Sequence, residues 1–562
     1  MGKLDFLLVG INAKYIHLNP ALYSLKYSVP DKLRGHVSLA EYTINHVYEH
    51  ILMDIVERQP DVIGFSCYIW NIETVKMLCR DLTKVLPHVS IWLGGPEAAW
   101  SDNRLFDELP ITGIMYGDGE VVFPQLLSAY VSDIQLGDVR GLRLRDESGE
   151  IMDTGTPDIA DMDHIPFFYD KEDISNRIIY YEASRGCPFG CSYCLSAADR
   201  RLRYRSLSLV LPELKWFLDQ KVPQVKFLDR TFNSDRRRTV AVWQYLLEHD
   251  NGVTNFHFEI TADLMDQEEI RLLSRMRPGL VQLEIGVQST NPKTLQTINR
   301  RTDIGRLREV VEQIREAGNV HQHLDLIAGL PWEDISSFAN SFNEVYGMRP
   351  SQLQLGFLKV LKGSPMAAQT EEFGIVFRDH APYEVLSTKW ISYTDVIRLK
   401  GVEDMVETYY NSHQFELTIS ALERAFDSAF ALYDALASFA RRTNPEGRSL
   451  SRAGLYEQLH GFIHENSVNY TECFDTLLTM DYYLREHARK RPSFAGGREL
   501  PSPGHSRDWH REQIAFDLEA FLTKGEVLAG SEIWQFDYTQ RSPLSNNALL
   551  RKEIYRDDEF EE

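Results

Sequence analysis

Up to about residue 135, short apolar runs alternate with stretches in which apolar residues return every three or four positions. The runs Leu4–Val9, Val62–Ser66, Ser90–Gly94 and Gly113–Tyr116 predict buried strands. Val47, Ile51, Leu52, Ile55 and Val56 predict a helix over 46–58, and Ile72, Val75, Leu78, Leu82 and Val85 one over 72–86. Strands separated by helices imply a parallel sheet covered on both faces. A hairpin should follow, Leu142–Arg145 with Ile151–Asp153 around Glu147-Ser-Gly-Glu150, and the Pro- and Asp-rich stretch 157–176 reads as a linker.

The alternation then restarts. Strands are expected at Ile178–Ala183, Val225–Leu228, Phe256–Thr261, Val281–Gly286, His323–Ala328 and Leu353–Val360. Helices fall between them, such as 303–317 with Ile304, Leu307, Val310, Val311 and Ile314. Six such units predict a full or partial (β/α)6 barrel of the TIM type, with its chemistry at the C-terminal ends of the strands. After about 380 long helical patterns dominate, at 415–441 and 470–488, and Ile533–Tyr538 alternates like a half-buried strand. The expected chain is therefore α/β. It holds a Rossmann-like (flavodoxin-like) domain at 1–140, a hairpin and linker at 141–176, a barrel at 177–375 and a mostly α-helical domain at 376–562.

Composition narrows the function. A chain of 562 residues is too long for one core. The formal net charge of -22 repels phosphate backbones, which disfavours a nucleic-acid partner. No apolar run reaches the ~18 residues of a membrane span. With Leu4–Val9 reading as a buried strand and no signal peptide ahead of it, a reducing, cytoplasmic setting is expected.

Half of the six cysteines lie in one short stretch, Glu182-Ala-Ser-Arg-Gly-Cys-Pro-Phe-Gly-Cys-Ser-Tyr-Cys194, directly after the first expected barrel strand. Three thiolates at CxxxCxxC spacing can hold an iron–sulfur cluster, whose usual complement is four cysteines, so one iron stays open for a reactant. A structural zinc site would need a fourth ligand, and the next histidine is His249. Cys67, Cys79 and Cys473 are scattered, which argues against disulfides.

With Tyr193 before the third cysteine, this loop resembles that of the radical S-adenosylmethionine (radical SAM) enzymes. Phe258–Asp263, Glu284–Ser289, His323–Pro331 and Leu355–Pro365 resemble that family's third to sixth strand segments, in order, over about 180 residues. The N-terminal part is similar to the cobalamin-binding domain of one large subgroup. The carrying segments are Asn12–His17, Phe65–Asn71, Trp92–Glu97 and Tyr116–Glu120, each after an expected strand, where open α/β sheets bind ligands. Met405–Ser412 resembles a helical domain attached to such pairs.

The resemblance implies three cofactors: a [4Fe–4S] cluster on Cys187, Cys191 and Cys194, S-adenosylmethionine (SAM) and cobalamin. Cobalamin contacts would come from Asn12, Ala13, Tyr15, His17, Ser66, Tyr68, Ile69, Trp70, Asn71, Gly94, Gly95, Pro96, Glu97, Gly117, Asp118, Gly119 and Glu120. SAM contacts would come from Tyr193, Asp229, Glu259, Gln288, Ser289 and Asp325. Two family features are missing. No D-x-H-x-x-G motif is present, so the resemblance implies a cobalt without a histidine ligand and with Ser66–Asn71 beneath it. Phe227–Asn233 stands where many relatives carry Gly-Gly-Glu, leaving Asp229 as the candidate for the amino group of SAM.

The activity so implied is methyl transfer: a 5′-deoxyadenosyl radical removes a hydrogen atom from a small-molecule or peptide substrate, and the substrate radical takes a methyl group from methylcobalamin. A flavodoxin- or ferredoxin-type donor would supply electrons. Cyclisation or rearrangement with the same cofactors, and a non-catalytic iron–sulfur sensor, are the alternatives. The arginine clusters 200–205 and 236–238 are expected to be solvated helix faces, or a docking patch for an acidic donor.

Overall fold

The computed structural model describes residues 4–15, 17–132, 134–146, 148–466, 468–488, 490–501 and 507–553. Ile16 of the first loop segment and Glu147 of the hairpin turn lie outside the described residues. Internal packing divides the chain into two compact units. The first comprises residues 1–284, 295–302 and 357–389, and the second 285–294, 303–356 and 390–562.

The first unit opens with a seven-stranded sheet: β1 (Phe6–Asn12), β2 (Val37–Thr43), β3 (Val62–Ser66), β4 (Ser90–Gly94), β5 (Gly113–Met115), β6 (Leu142–Arg145) and β7 (Ile151–Asp153). Its order is β2-β1-β3-β4-β5-β6-β7, parallel through β5 and antiparallel at the hairpin β6–β7. The order 2-1-3-4-5 is flavodoxin-like, as expected, and the strand order reverses between the parallel strands β1 and β3. Side chains alternate across β1. Leu7, Val9 and Ile11 pack with the helices Tyr48–Arg58 and Ile72–Val85, while Phe6 and Leu8 pack with Pro20–Ser28 and Gly119–Val131. Each fully buried aliphatic side chain there contributes about 1.5–3 kcal/mol. Strand β2 and its preceding helix, Pro20–Ser28, are additions to the expected elements.

All six strands of the second run form: Ile179–Tyr181, Gln224–Phe227, Asn255–Ile260, Val281–Gln288, His321–Ala328 and Gln352–Phe357. Within the first unit, Gln224–Phe227 pairs in parallel with Ile179–Tyr181 on one side and Asn255–Ile260 on the other. The stretch expected as a linker carries a short helical turn at Met162–His164, and Phe168 and Tyr169 are buried. The Tyr169 hydroxyl donates to the Tyr180 carbonyl.

The second unit holds the later strands and most of the C-terminal helices. The helix expected over 415–441 is two, Glu416–Leu422 and Ala429–Thr443. The break follows from Ser428, whose side chain accepts the Ala431 N–H and starts a new helix. The long helices end at Arg485, and one short helix, Leu518–Lys524, follows. Beyond Arg485 four antiparallel strands, Arg498–Leu500, Trp509–Phe516, Ala529–Arg541 and Ala548–Lys552, form a sheet that contains the expected 533–538 strand. Among the described residues no helix is long and apolar enough to cross a membrane.

Candidate cofactor site

The cysteine loop hangs from a two-rung ladder. Ser184 pairs with Tyr204 and Arg185 with Arg203, so residues 186–202 are pinched off as one excursion. Gly186 closes it at φ 94°, where a Cβ would lie 2.3 Å from the Arg201 carbonyl oxygen, so only glycine fits. The Asn299 amide donates to the Gly190 carbonyl at 2.8 Å, and the Ser192 N–H to the Ile298 carbonyl at 2.9 Å. Cys187 and Cys191 are buried and Cys194 is half-buried. Burial pushes the Cys191 thiol up, and the Arg300 guanidinium, 3.9 Å from its Sγ, opposes that shift and favours thiolate. Arg300 also donates to the Tyr193 hydroxyl at 3.2 Å. Cys67 and Cys79, buried elsewhere, have thiols raised chiefly by desolvation.

Arg185, two positions before the first cysteine, fixes the loop to the sheet edge. It meets Asp118 at 2.9 Å, Glu120 at 3.1 Å and Glu182 at 2.6 Å, and Arg203 takes the other oxygen of Asp118 at 2.5 Å. Burial works against the charge on Asp118 and Glu120, but the arginines outweigh it and hold both carboxyls below their ordinary range. The 200–205 cluster is therefore not a solvated helix face: it lies in extended chain, and Arg205 is buried against Glu213 at 2.5 Å. Arg236 does begin a helix but pairs with Asp266 and Glu268. Sequence periodicity missed these roles because the partners lie from eight to 85 positions away.

A cavity of about 810 Å³ opens at the C-terminal edge of β3, β4 and β5. Ser66, Tyr68, Gly94, Gly95, Pro96, Gly117, Asp118, Gly119 and Glu120 line it, as do Ala198, Asp199 and Arg201 of the cysteine loop. It runs down between the sheet and two helices, past Phe6, Leu8, Leu22, Gly64, Trp92 and Phe123. A volume of this size lies near the upper end of the ~300–1,000 Å³ common for organic ligands.

The other segment residues lie outside that lining. Asn12 donates to Glu41 and to the His17 carbonyl. Ala13 follows it in the same loop, and Tyr15 is 70 % exposed. His17 bridges to Ile178 with its ring against Tyr180, and burial, then Lys226 and Lys14, lowers its pKa. Ile69 and Trp70 sit at the turn, Trp70 stacked on Tyr68 at 4.5 Å. Asn71 closes that turn by bonding the Ile11 and Ser66 carbonyls and the Tyr68 N–H. Glu97 is buried and accepts the Tyr383 hydroxyl.

Of the residues expected to contact SAM, Asp229 is buried and bonds within the protein through both oxygens. Its carboxylate accepts the Ala183 N–H at 2.9 Å and the Ser184 hydroxyl at 2.6 Å, and burial pushes its pKa up to about 6 against those bonds. Glu259 on Asn255–Ile260 is half-buried, 3.6 Å from Arg230. In the second unit, Gln288 ends its strand in the left-handed region at φ 74°. Ser289 is buried and donates to Glu333 at 2.7 Å, and Asp325 lies 3.1 Å from His323.

Comparison with known proteins matches three successive segments of the chain. Residues 7–127 match the B12 binding domain, 181–345 the Radical SAM superfamily, and 371–524 a family described as Protein of unknown function (DUF4080). The chain is 23 % identical over 341 residues to the cobalamin-dependent radical SAM methyltransferase TokK of Streptomyces tokunonensis, covering 56 % of this chain and 50 % of that protein. It is also 23 % identical over 320 residues to an anaerobic magnesium-protoporphyrin IX monomethyl ester cyclase of Cereibacter sphaeroides, covering 54 % and 52 %. The chain thus spans about half the length of these curated relatives. Its fold is similar to that of the cobalamin-dependent SAM radical enzyme OxsB (TM-score 0.60, 14 % identity, 86 % and 80 % covered). It is also similar to that of the methyltransferase TsrM from Kitasatospora setae (TM-score 0.55, 16 % identity, 66 % and 78 % covered).

The cofactors of these domains are a [4Fe–4S] cluster with SAM, and cobalamin. The donor sets fit. Three thiols sit on one loop, and they are not drawn together as a single zinc ion would require. Among the described residues, one His-and-carboxylate group elsewhere has three ligand atoms within 4.8 Å of one another, and the cysteines do not. The cavity edge carries four glycines, and a Cβ on Gly94 would meet only Met115, at 3.5 Å and beyond.

Proposed function

Because this chain belongs to the radical SAM enzymes that carry a cobalamin-binding domain, we propose that it is a cobalamin-dependent methyltransferase acting on an unactivated carbon of a small molecule or peptide. The observation that carries this reading is the shared wall. Ala198, Asp199 and Arg201, from the loop that bears the three thiols, line the same cavity as the strand-edge glycines. That juxtaposition gives radical formation and methyl delivery a short common path.

When bound, the cluster and SAM supply a radical that removes a hydrogen atom from substrate, and cobalamin supplies the methyl group. The protein's part is to hold, orient and exclude water. Cys187, Cys191 and Cys194 would ligate the cluster as thiolates, with Arg300 favouring the ionised form of Cys191. Arg185 and Arg203 lock the cysteine loop onto Asp118 and Glu120, so the two sites keep one registration. Gly94 and Gly95 let backbone approach a bulky ligand closely. Glu259, half-buried at a strand end, is the proposed acceptor for the SAM ribose hydroxyls. A reducing compartment and a flavodoxin- or ferredoxin-type donor complete the proposal.

The test is anaerobic purification with cobalamin supplied, then analysis of SAM products under a reductant. Methyl transfer predicts S-adenosylhomocysteine that depends on bound corrinoid, together with 5′-deoxyadenosine. The likeness to the cyclase of Cereibacter sphaeroides favours a second reading, rearrangement without methyl transfer. With substrate present, release of 5′-deoxyadenosine alone from corrinoid-loaded protein would support that reading and overturn the first.

A further inference from the structure

A third donor set lies in the C-terminal region, in the second unit. His460 and His464 are one turn apart on the helix Arg452–Glu465, so their rings share a face. Asp475 comes from the following helix, Thr471–Arg485. Both imidazoles turn Nε2 to the same carboxylate oxygen, at 3.3 Å for His460 and 3.0 Å for His464, and the ring centroids are 4.3 Å apart. One ligand atom from each residue lies within 4.8 Å of the other two.

We propose that His460, His464 and Asp475 bind a divalent transition-metal ion of the zinc class, which pins these two helices together. Metal–ligand bonds of about 2.0–2.2 Å in tetrahedral array place neighbouring donor atoms roughly 3.3–3.5 Å apart, close to the spacing already present. Two imidazoles and one carboxylate are a common set for such ions, with the remaining positions taken by water. The three side chains are between 21 % and 43 % exposed, so an ion can enter without unfolding the helices. Without an ion, one Asp475 oxygen pairs with both imidazole Nε2 groups, which holds the three side chains converged. A metal ion uses the same convergence as coordination. Glu457, one turn before His460, adds negative potential at the ring.

The full chain with its iron–sulfur cluster reconstituted is equilibrated with zinc sulfate, desalted, and assayed for zinc and iron by mass spectrometry. The expected result is about one zinc per chain, falling at least tenfold in both His464→Gln and Asp475→Asn while iron is unchanged. Zinc that stays on both variants, or wild-type protein that retains none, overturns the site. Cobalt(II) in the wild type gives a readout that needs no variant. Visible d–d bands without thiolate charge-transfer absorption place the ion on nitrogen and oxygen, whereas a thiolate band assigns it to cysteine and contradicts the proposal.

Discussion

The loop at Cys187, Cys191 and Cys194 offers side chains, whereas the neighbouring cavity edge at Gly94, Gly95, Gly117 and Gly119 offers space. The first is held rigid by charge: Arg185 reaches three carboxylates and Arg203 a fourth contact. The second is held open by backbone geometry, with Gly95 at φ 93° and Gly117 at φ 84°. The contrast with Asn12 is instructive, because at that strand end a larger polar side chain bonds back onto Glu41 and the His17 carbonyl. At a parallel-sheet edge, side chains that can bond locally fill the site, and glycines leave it vacant for a ligand.

The largest effect should come from removing a thiol. Cys191→Ala should lower iron from about four per chain to less than about one-half after anaerobic reconstitution, with cavity and corrinoid content unchanged. Equal loss of corrinoid would mean that the two sites are not built separately. Arg185→Gln comes next. It leaves Glu120 and Glu182 without their shared cation, and breaking such a partly buried network should cost about 3 kcal/mol, read as a lower denaturant midpoint. An unchanged midpoint would remove the charge clamp from the account.

Asp229 tests the base of the cysteine loop through pH. Its folded pKa of about 6 lies above the ordinary 3.8, so the stabilisation is present below pH ~4 and lost as pH rises through about 6. Asp229→Asn should lack that slope. Relative to wild type it should gain up to about 3 kcal/mol between pH 4 and 7 in urea unfolding of the apo-protein. Parallel curves would contradict the burial argument. Smallest is Gly95→Ala, whose Cβ would press to 2.7 Å on the Cys67 carbonyl at a positive φ. It should lower stability by about 1–3 kcal/mol with cluster content intact.

Much of this was legible in the sequence because it is local. The cysteine spacing lies within eight residues, and the strands of both parallel runs show as apolar blocks in the order that the structure adopts. Strand β2 escaped because Val37–Thr43 is only partly buried and its Ser38 and Glu41 break the apolar run. The split at Ser428 escaped because apolar periodicity continues across it, and only the cap reveals the new helix. Site residues escaped where their partners are distant. Asp118 and Glu120 read as cavity residues, and they do line it, but nothing in Tyr116–Glu120 announces Arg185 or Arg203. Asp229 likewise reads as an open carboxylate until Ala183 and Ser184 are seen to occupy it.

The central claim is that a cobalamin site at the strand edge is made by missing side chains, in a cavity that shares a wall with the cluster loop but holds its ligand without the three thiols. Gly94 allows it to be tested without backbone strain, since a Cβ there meets only Met115, at 3.5 Å and beyond. The decisive measurement is corrinoid per chain, with iron per chain as the internal control, in wild type and Gly94→Leu purified anaerobically with cobalamin. The account predicts at least a tenfold loss of corrinoid in Gly94→Leu with iron unchanged at about four per chain. Corrinoid retained at the wild-type level in that variant would contradict it.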